Sequence, residues 1–208
     1  MNFINKYIFS TAGIITIFVL NFDFGWRHFI IPSASMEPTM MTGDIYFGNM
    51  HKYGINRPSI LGIDPFGVNR EFTFNEPKVG DVIIFQKGGR KMIKRIFASG
   101  GDFVEIDGSN NFYRNGELDN SNAFFDKNAS AEFKAQLTAM DAGKMPMALV
   151  GDKFTYKVPE GEFFVLGDNR NHSKDSRFIG AIKSESIIGG PSLTVINPKG
   201  GNFMRNTF

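Results

Sequence analysis

Cysteine is absent from the 208 residues. Its absence excludes a disulfide scaffold, a cysteine nucleophile and thiolate zinc sites, and it suits an oxidising compartment, where a free thiol is a liability. Histidine is scarce: His28, His51 and His172 are the three present, scattered along the chain, which leaves little material for a histidine metal cluster. Neither sign of charge dominates, since 23 Lys and Arg stand against 21 Asp and Glu for a net charge of +2. No electrostatic footprint for nucleic acid results. What the chain does hold is apolar residues, 42% of the total, and 23 Phe beside 23 Gly. That is enough for a core, so disorder is excluded as a default, and the length fits one domain or one domain with a sizeable excursion. A chain rich in aromatics and glycine with few long helical patterns leans towards β structure.

The one long apolar run lies at the N-terminus. Tyr7 to Phe22 carries no charge and only Ser, Thr and Asn as polar interruptions. A bilayer span takes about 20 residues, a length reached by counting back to Phe3 with Lys6 snorkelling to the interface. Phe24 and Trp26 follow where amphipathic rings sit well. A cleaved leader would want small residues after the run, but Leu20-Asn21-Phe22-Asp23-Phe24 is a poor cleavage site. A buried helix of a soluble protein is the plainer alternative. We read residues 1–27 as an uncleaved membrane anchor with its juxtamembrane segment.

Beyond it the chain reads as short strands: Ile45 to Gly48, Val82 to Gln86, Lys91 to Phe97, Val104 to Ile106, Glu162 to Leu166 and Ser192 to Ile196. Five Gly-Asp pairs, at residues 43, 80, 101, 151 and 167 and the Asp after each, read as turns beside strands, with Gly supplying positive φ and Asp bonding local backbone. Residues 103–160 differ in texture. They are rich in Asn, Asp, Lys and Gly over Asp107 to Asn128, then weakly helical over Ala129 to Met140. They read as an insertion into a β core made of residues 28–102 plus 161–208. Lys52 to Pro77, with three prolines, reads as a long loop or a hairpin.

Three clusters hold candidate chemistry. In Ile31-Pro32-Ser33-Ala34-Ser35-Met36-Glu37-Pro38, two prolines frame two serines and restrict the backbone on both sides. The plain alternative is a linker with incidental serines. A serine nucleophile needs a base, and the histidines are poorly placed in sequence. Lys94 lies among Met92, Ile93, Ile96 and Phe97, where burial would lower its pKa; the alternative is a lysine that snorkels to water. Arg95 cannot serve as a base, and on a strand it faces away from Lys94. The third cluster, Gly167 to Gly180, is dense in hydrogen-bonding groups. As a calcium loop it fails, because Lys174 replaces the turn glycine and no bidentate Glu closes it.

Taken in order, these blocks resemble the bacterial type I signal peptidases, Ser/Lys-dyad serine proteases. The resemblance rests on Ser33-Ala34-Ser35-Met36-Glu37-Pro38-Thr39-Met40 after an anchor, the Gly80-Asp81 strand, Lys94-Arg95 before Gly101-Asp102, and Gly167-Asp168-Asn169-Arg170 with Ser173-Lys174-Asp175-Ser176-Arg177-Phe178. It covers about Phe29 to Ile188. It implies a mostly β fold: an N-terminal transmembrane helix, an antiparallel β-sheet catalytic core and an inserted, smaller β-rich cap domain. It implies Ser35 as nucleophile, Lys94 as general base, and Ser33 with the Ser35 amide as oxyanion donors. Ser173 would orient the lysine, with Asp175 and Arg177 as a supporting pair. Phe29, Ile31, Met36, Met40, Met92 and Ile93 would line pockets for small side chains.

The partners so implied are preprotein signal peptides with small residues before the cut, and membrane lipids. No metal, cofactor or nucleic acid is expected. The place implied is the cytoplasmic membrane, single-pass, with the catalytic domain outside the cytoplasm. Asn171 and His172 stand where the family commonly has Asp-Asn, and Gly100 where it often has proline. Three other functions use the same features: a dedicated Ser/Lys processor of one pilin or conjugation protein, a non-catalytic membrane-tethered peptide-binding β module, and a self-cleaving repressor. The last lacks a DNA-binding segment at its apolar N-terminus.

Overall fold

A computed structural model describes residues 26–56, 70–73, 75–109, 111–120, 147–196 and 203–205. The expected anchor, apart from Trp26 and Arg27, and the helical stretch expected at 129–140 lie outside the described residues. Among those described, no helix is long and apolar enough to cross a membrane.

In chain order the strands are β1 (Trp26–Ile30), β2 (Ile45–Asn49), β3 (Gly54–Asn56), β4 (Arg70–Thr73), β5 (Val82–Lys87), β6 (Arg90–Ser99), β7 (Phe103–Ile106), β8 (Phe112–Arg114), β9 (Glu117–Leu118), β10 (Ala148–Val150), β11 (Lys153–Lys157), β12 (Glu162–Leu166), β13 (Ile182–Lys183), β14 (Ile187–Ile196) and β15 (Phe203–Arg205). Every strand pairing among the described residues is antiparallel, and the fold is mostly β. The main sheet runs β1-β2-β14-β5-β6-β12-β13, with β15 beside β14. The second runs β10-β11-β7-β8-β9. β3 and β4 pair with each other, so the segment read as loop or hairpin contains a hairpin.

β5 and β6 form the central hairpin, turned by Gly88 and Gly89 at φ +57° and +75°, where side chains are strained. β14 changes partners along its length. Ile187 and Gly189 pair with β5, and Gly190 to Ile196 pair with β2. A Cβ on Gly189 would lie 2.5 Å from the Asn49 carbonyl oxygen, so only glycine lets the strand cross there.

The two large sheets share one apolar core. Phe97, Ala98, Phe164, Leu166 and Ala181 of the main sheet region pack with Val104, Ile106, Phe112 and Val158 of the second. Two further clusters lie under the main sheet, one around Ile31, Met36, Met40, Tyr46 and Ile84, the other around Ile83, Phe85, Ile96, Val165 and Ile187.

Candidate active site

Ser35 sits in a single 3₁₀ turn, Ala34–Met36, between β1 and β2. The turn is pegged by its own sequence. Met36 and Met40 are buried in the core, and the Met40 N–H donates to the Met36 carbonyl at 2.9 Å. Thr42 closes the loop by donating to Glu37 Oε1 through both its backbone N–H and its hydroxyl. Ser35 is 8% exposed, and Ser33 beside it is exposed. Ser33 Oγ lies 3.4 Å from Ser35 Oγ.

Lys94 comes from the middle of β6, flanked by β5 and β12. Its Nζ lies 2.8 Å from Ser35 Oγ and donates to the Ile93 carbonyl at 2.8 Å. The side chain is 5% exposed. Burial lowers its pKa, the Asp175 and Asp168 carboxylates oppose this, and Arg177 reinforces it. Arg95, pointing away, grips Asp168 in two bonds: Nε to Oδ1 at 2.8 Å and Nη2 to Oδ2 at 2.7 Å. That carboxylate also accepts from Thr39 Oγ1 at 2.6 Å. The adjacent side chains of Lys94 and Arg95 therefore serve different partners, as strand alternation requires.

The loop after β12 braces this pair. The Asn169 N–H donates to the Ser35 carbonyl at 3.1 Å, holding the Ser35 turn from below. Asp175 accepts from Arg177 Nε at 2.7 Å and Nη2 at 2.9 Å, and from the Gly167 N–H at 3.0 Å. Both side chains are fully buried. Burial alone would raise the Asp175 carboxyl, but the Arg177 guanidinium, the Gly167 N–H and the Ser173 hydroxyl hold it below its ordinary value. Arg177 Nη2 also donates to the Arg170 carbonyl at 2.6 Å, which ties the loop's two ends together.

The expected residues fall as follows. Ser33, Ser35 and Lys94 are brought together. Asp175 and Arg177 form a buried pair behind them. Ser173 is buried, but its hydroxyl makes no hydrogen bond to Lys94. It is among the groups that lower the Asp175 carboxyl's pKa. Phe29, Ile31, Met36, Met40 and Ile93 pack in one cluster. Met92 packs in another, on the far side from its strand neighbour Ile93. Among the described residues, no group of three or more His, Cys, Asp or Glu side chains could hold a metal ion.

One Gly-Asp pair departs from the turn expectation. Gly43, Gly80, Gly101 and Gly151 have φ between +65° and +94°, and Asp44, Asp81 and Asp102 each accept from a backbone N–H three residues earlier. Gly167 is not among the positive-φ glycines. It is required for space: a Cβ there would strike Ser173 Oγ and lie 2.5 Å from the Ser35 carbonyl oxygen. Asp168 bonds no turn but anchors Arg95 and Thr39. Sequence reasoning missed Asp168, Thr39 and Asn169. The available signal was Arg95 itself: an arginine next to a buried lysine must find its own carboxylate.

Comparison with known proteins gives this geometry its family. The profile of the signal peptidase family, peptidase S26, matches residues 4–196. A signal peptidase I of Helicobacter pylori (strain ATCC 700392 / 26695) is 30% identical over 229 residues, covering 88% of this chain and 79% of its own. A signal peptidase I of Aquifex aeolicus is 32% identical over 203 residues, covering 77% of this chain and 72% of its own. The crystal structure of a signal peptidase I from Enterococcus faecalis V583 is 27% identical and covers 57% of this chain and 98% of its own, with a TM-score of 0.38. The chain belongs to the signal peptidase, peptidase S26 family, and is a serine endopeptidase that cleaves the signal peptides of preproteins.

Proposed function

We propose that Ser35 and Lys94 perform this hydrolysis as nucleophile and general base. The observation that carries the reading is the buried Lys94 amine 2.8 Å from the Ser35 hydroxyl. The neutral amine takes the Ser35 proton as Oγ attacks the scissile carbonyl carbon. Ser33 and the Ser35 amide hold the oxyanion. The Lys94 ammonium returns the proton to the departing amine as the C–N bond breaks, and the acyl group stays on Ser35. Lys94 then takes a proton from water, whose oxygen attacks the ester, and passes that proton back to Ser35.

The supporting groups follow from the same reading. Asp175 and Arg177 keep the loop rigid and balance the charge near Lys94. Ser173 orients the lysine once substrate displaces the bond between Lys94 and Ser35. Small side chains before the cut enter pockets floored by Ile31, Met36 and Met40 and walled by Phe29 and Ile93, with Met92 across the strand. The exposed Ile30 beside them suits an extended peptide added as a strand. Residues 1–27 anchor the enzyme by one span in the cytoplasmic membrane, among lipids, with the catalytic β core (28–102 plus 161–208) and the inserted cap (103–160) outside the cytoplasm. Confining enzyme and preprotein to one membrane raises their effective concentration. The test is cleavage of a preprotein with an Ala-x-Ala site by detergent-solubilised protein, beside Ser35→Ala. Release from membranes by alkaline carbonate would end the anchor reading.

Two smaller effects follow. Ser33→Ala lowers kcat by about 10²–10³-fold with little change in KM, because one oxyanion donor acts mainly in the transition state. Steady-state kinetics check this, and an unchanged kcat removes Ser33 from the oxyanion site. The pH dependence has a definite sign. A base with a lowered pKa becomes neutral at a lower pH, so kcat/KM rises along a limb whose midpoint lies below the roughly 10.4 of free lysine. Asp168 raises the Lys94 pKa, so Asp168→Asn moves that limb further down. A limb that stays in place assigns the titration to another group.

A further inference from the structure

The second sheet grips the loop behind Ser35 and Lys94. Arg170 opens the 3₁₀ turn Arg170–His172 and directly follows Asn169, whose N–H holds the Ser35 carbonyl. Its guanidinium is buried, at 4% exposure. Nη2 donates to Asp119 Oδ2 at 3.2 Å, just beyond β9. Nε and Nη1 have no hydrogen-bond partner among the described residues. The remaining support comes from ring faces: the guanidinium carbon lies 4.8 Å from the centre of Phe112 of β8 and 5.6 Å from that of Phe97. The Arg177 guanidinium lies 5.6 Å from the same Phe112 ring. One aromatic side chain of the second sheet therefore faces two buried cations of the catalytic loop.

A buried cation with an incomplete set of acceptors depends heavily on the anion and rings it has. Burial pulls the Arg170 pKa down to about 10, so the group is charged at neutral pH and needs that support. Its own carbonyl accepts from Arg177. A shift of Arg170 would thus move Asn169 on one side and the Arg177–Asp175 pair on the other. The first holds the Ser35 turn, and the second sets the field at Lys94.

We propose that Asp119 and Phe112 are positioning residues for the hydrolysis, holding Arg170 so that the loop keeps Ser35 and Lys94 in register. The second sheet is then a clamp on the reaction centre as well as part of the shared core. This rests on the assignment of Ser35 and Lys94.

The experiment uses the full chain in detergent on an Ala-x-Ala preprotein. It compares Asp119→Asn, Asp119→Glu, Phe112→Leu and Ser35→Ala, each first checked by circular dichroism for folding at the assay temperature. Asp119→Asn and Phe112→Leu are expected to lower kcat about tenfold with KM within about twofold of the parent, since misplaced groups cost turnover more than binding. Asp119→Glu is expected to recover most of the loss. In an Arg170→Met background, Asp119→Asn should cost nothing further, because the contact is already gone. The proposal is overturned if the folded variants keep the parental kcat, if the loss falls on KM, if Asp119→Glu is as slow as Asp119→Asn, if the Arg170→Met background leaves the loss intact, or if neither Asp119→Asn nor Phe112→Leu folds. A fully active Ser35→Ala instead sinks the dyad assignment, whatever the Asp119 result.

Discussion

If Ser35 and Lys94 are the proposed nucleophile and base, Ser35→Ala and Lys94→Ala each lower kcat by roughly 10⁴–10⁶-fold, because such a pair acts as one unit. The double variant should be little worse than either single change. The sharper comparison is Lys94→Arg. Arginine keeps the charge and much of the length but stays protonated at any working pH. If Lys94 served only to stabilise negative charge, Lys94→Arg would retain substantial turnover. If it accepts the Ser35 proton, 2.8 Å away, Lys94→Arg fails as completely as Lys94→Ala. Single-turnover cleavage of a preprotein measures this directly. Turnover by Lys94→Arg within tenfold of the parent would end the general-base reading.

Breaking the Asp175–Arg177 pair is the second large effect. Both side chains are fully buried, and removing one partner leaves the other's charge uncompensated. Asp175→Ala or Arg177→Ala should cost about 3–5 kcal/mol, a fall in Tm on the order of 10 °C for a chain of this size. The effect depends on pH. The folded-state pKa of Asp175 is depressed, so its contribution is complete above the unfolded value near 3.9 and is lost as pH falls through the lower, folded value. The stability difference between parent and Asp175→Ala should therefore shrink under strongly acidic conditions. Urea unfolding across pH tests it. A loss below about 1 kcal/mol at neutral pH would mean that solvent screens the pair.

Much of the fold was legible because short strands announce themselves locally. Val82 to Gln86, Lys91 to Phe97 and Glu162 to Leu166 were expected as strands, and β5, β6 and β12 cover them. Alternation along β6 also separated Lys94 from Arg95 correctly in direction. Long-range partners were not legible. Ser35 and Lys94 are 59 positions apart, Arg95 and Asp168 are 73 apart, and no periodicity encodes such pairings. The same blindness explains Gly167, whose neighbours in sequence suggest a turn while its neighbours in space forbid a side chain. Residues 103–160 were set apart by their polar texture. Apolar side chains among them, such as Val104, Ile106 and Phe112, pack directly on the main sheet, a placement that sequence texture does not reveal.

The double pairing of β14 bears on how the molecule is assembled. β14 lies between β2 and β5, yet it follows both in the chain by more than a hundred positions. Until it emerges from the ribosome, one margin of β2 and one of β5 have no neighbour, and such margins are templates for wrong partners. Closing that gap joins distant parts of the polypeptide, a slow step in folding. Stop codons placed ahead of Ile187 should therefore yield insoluble, inactive material.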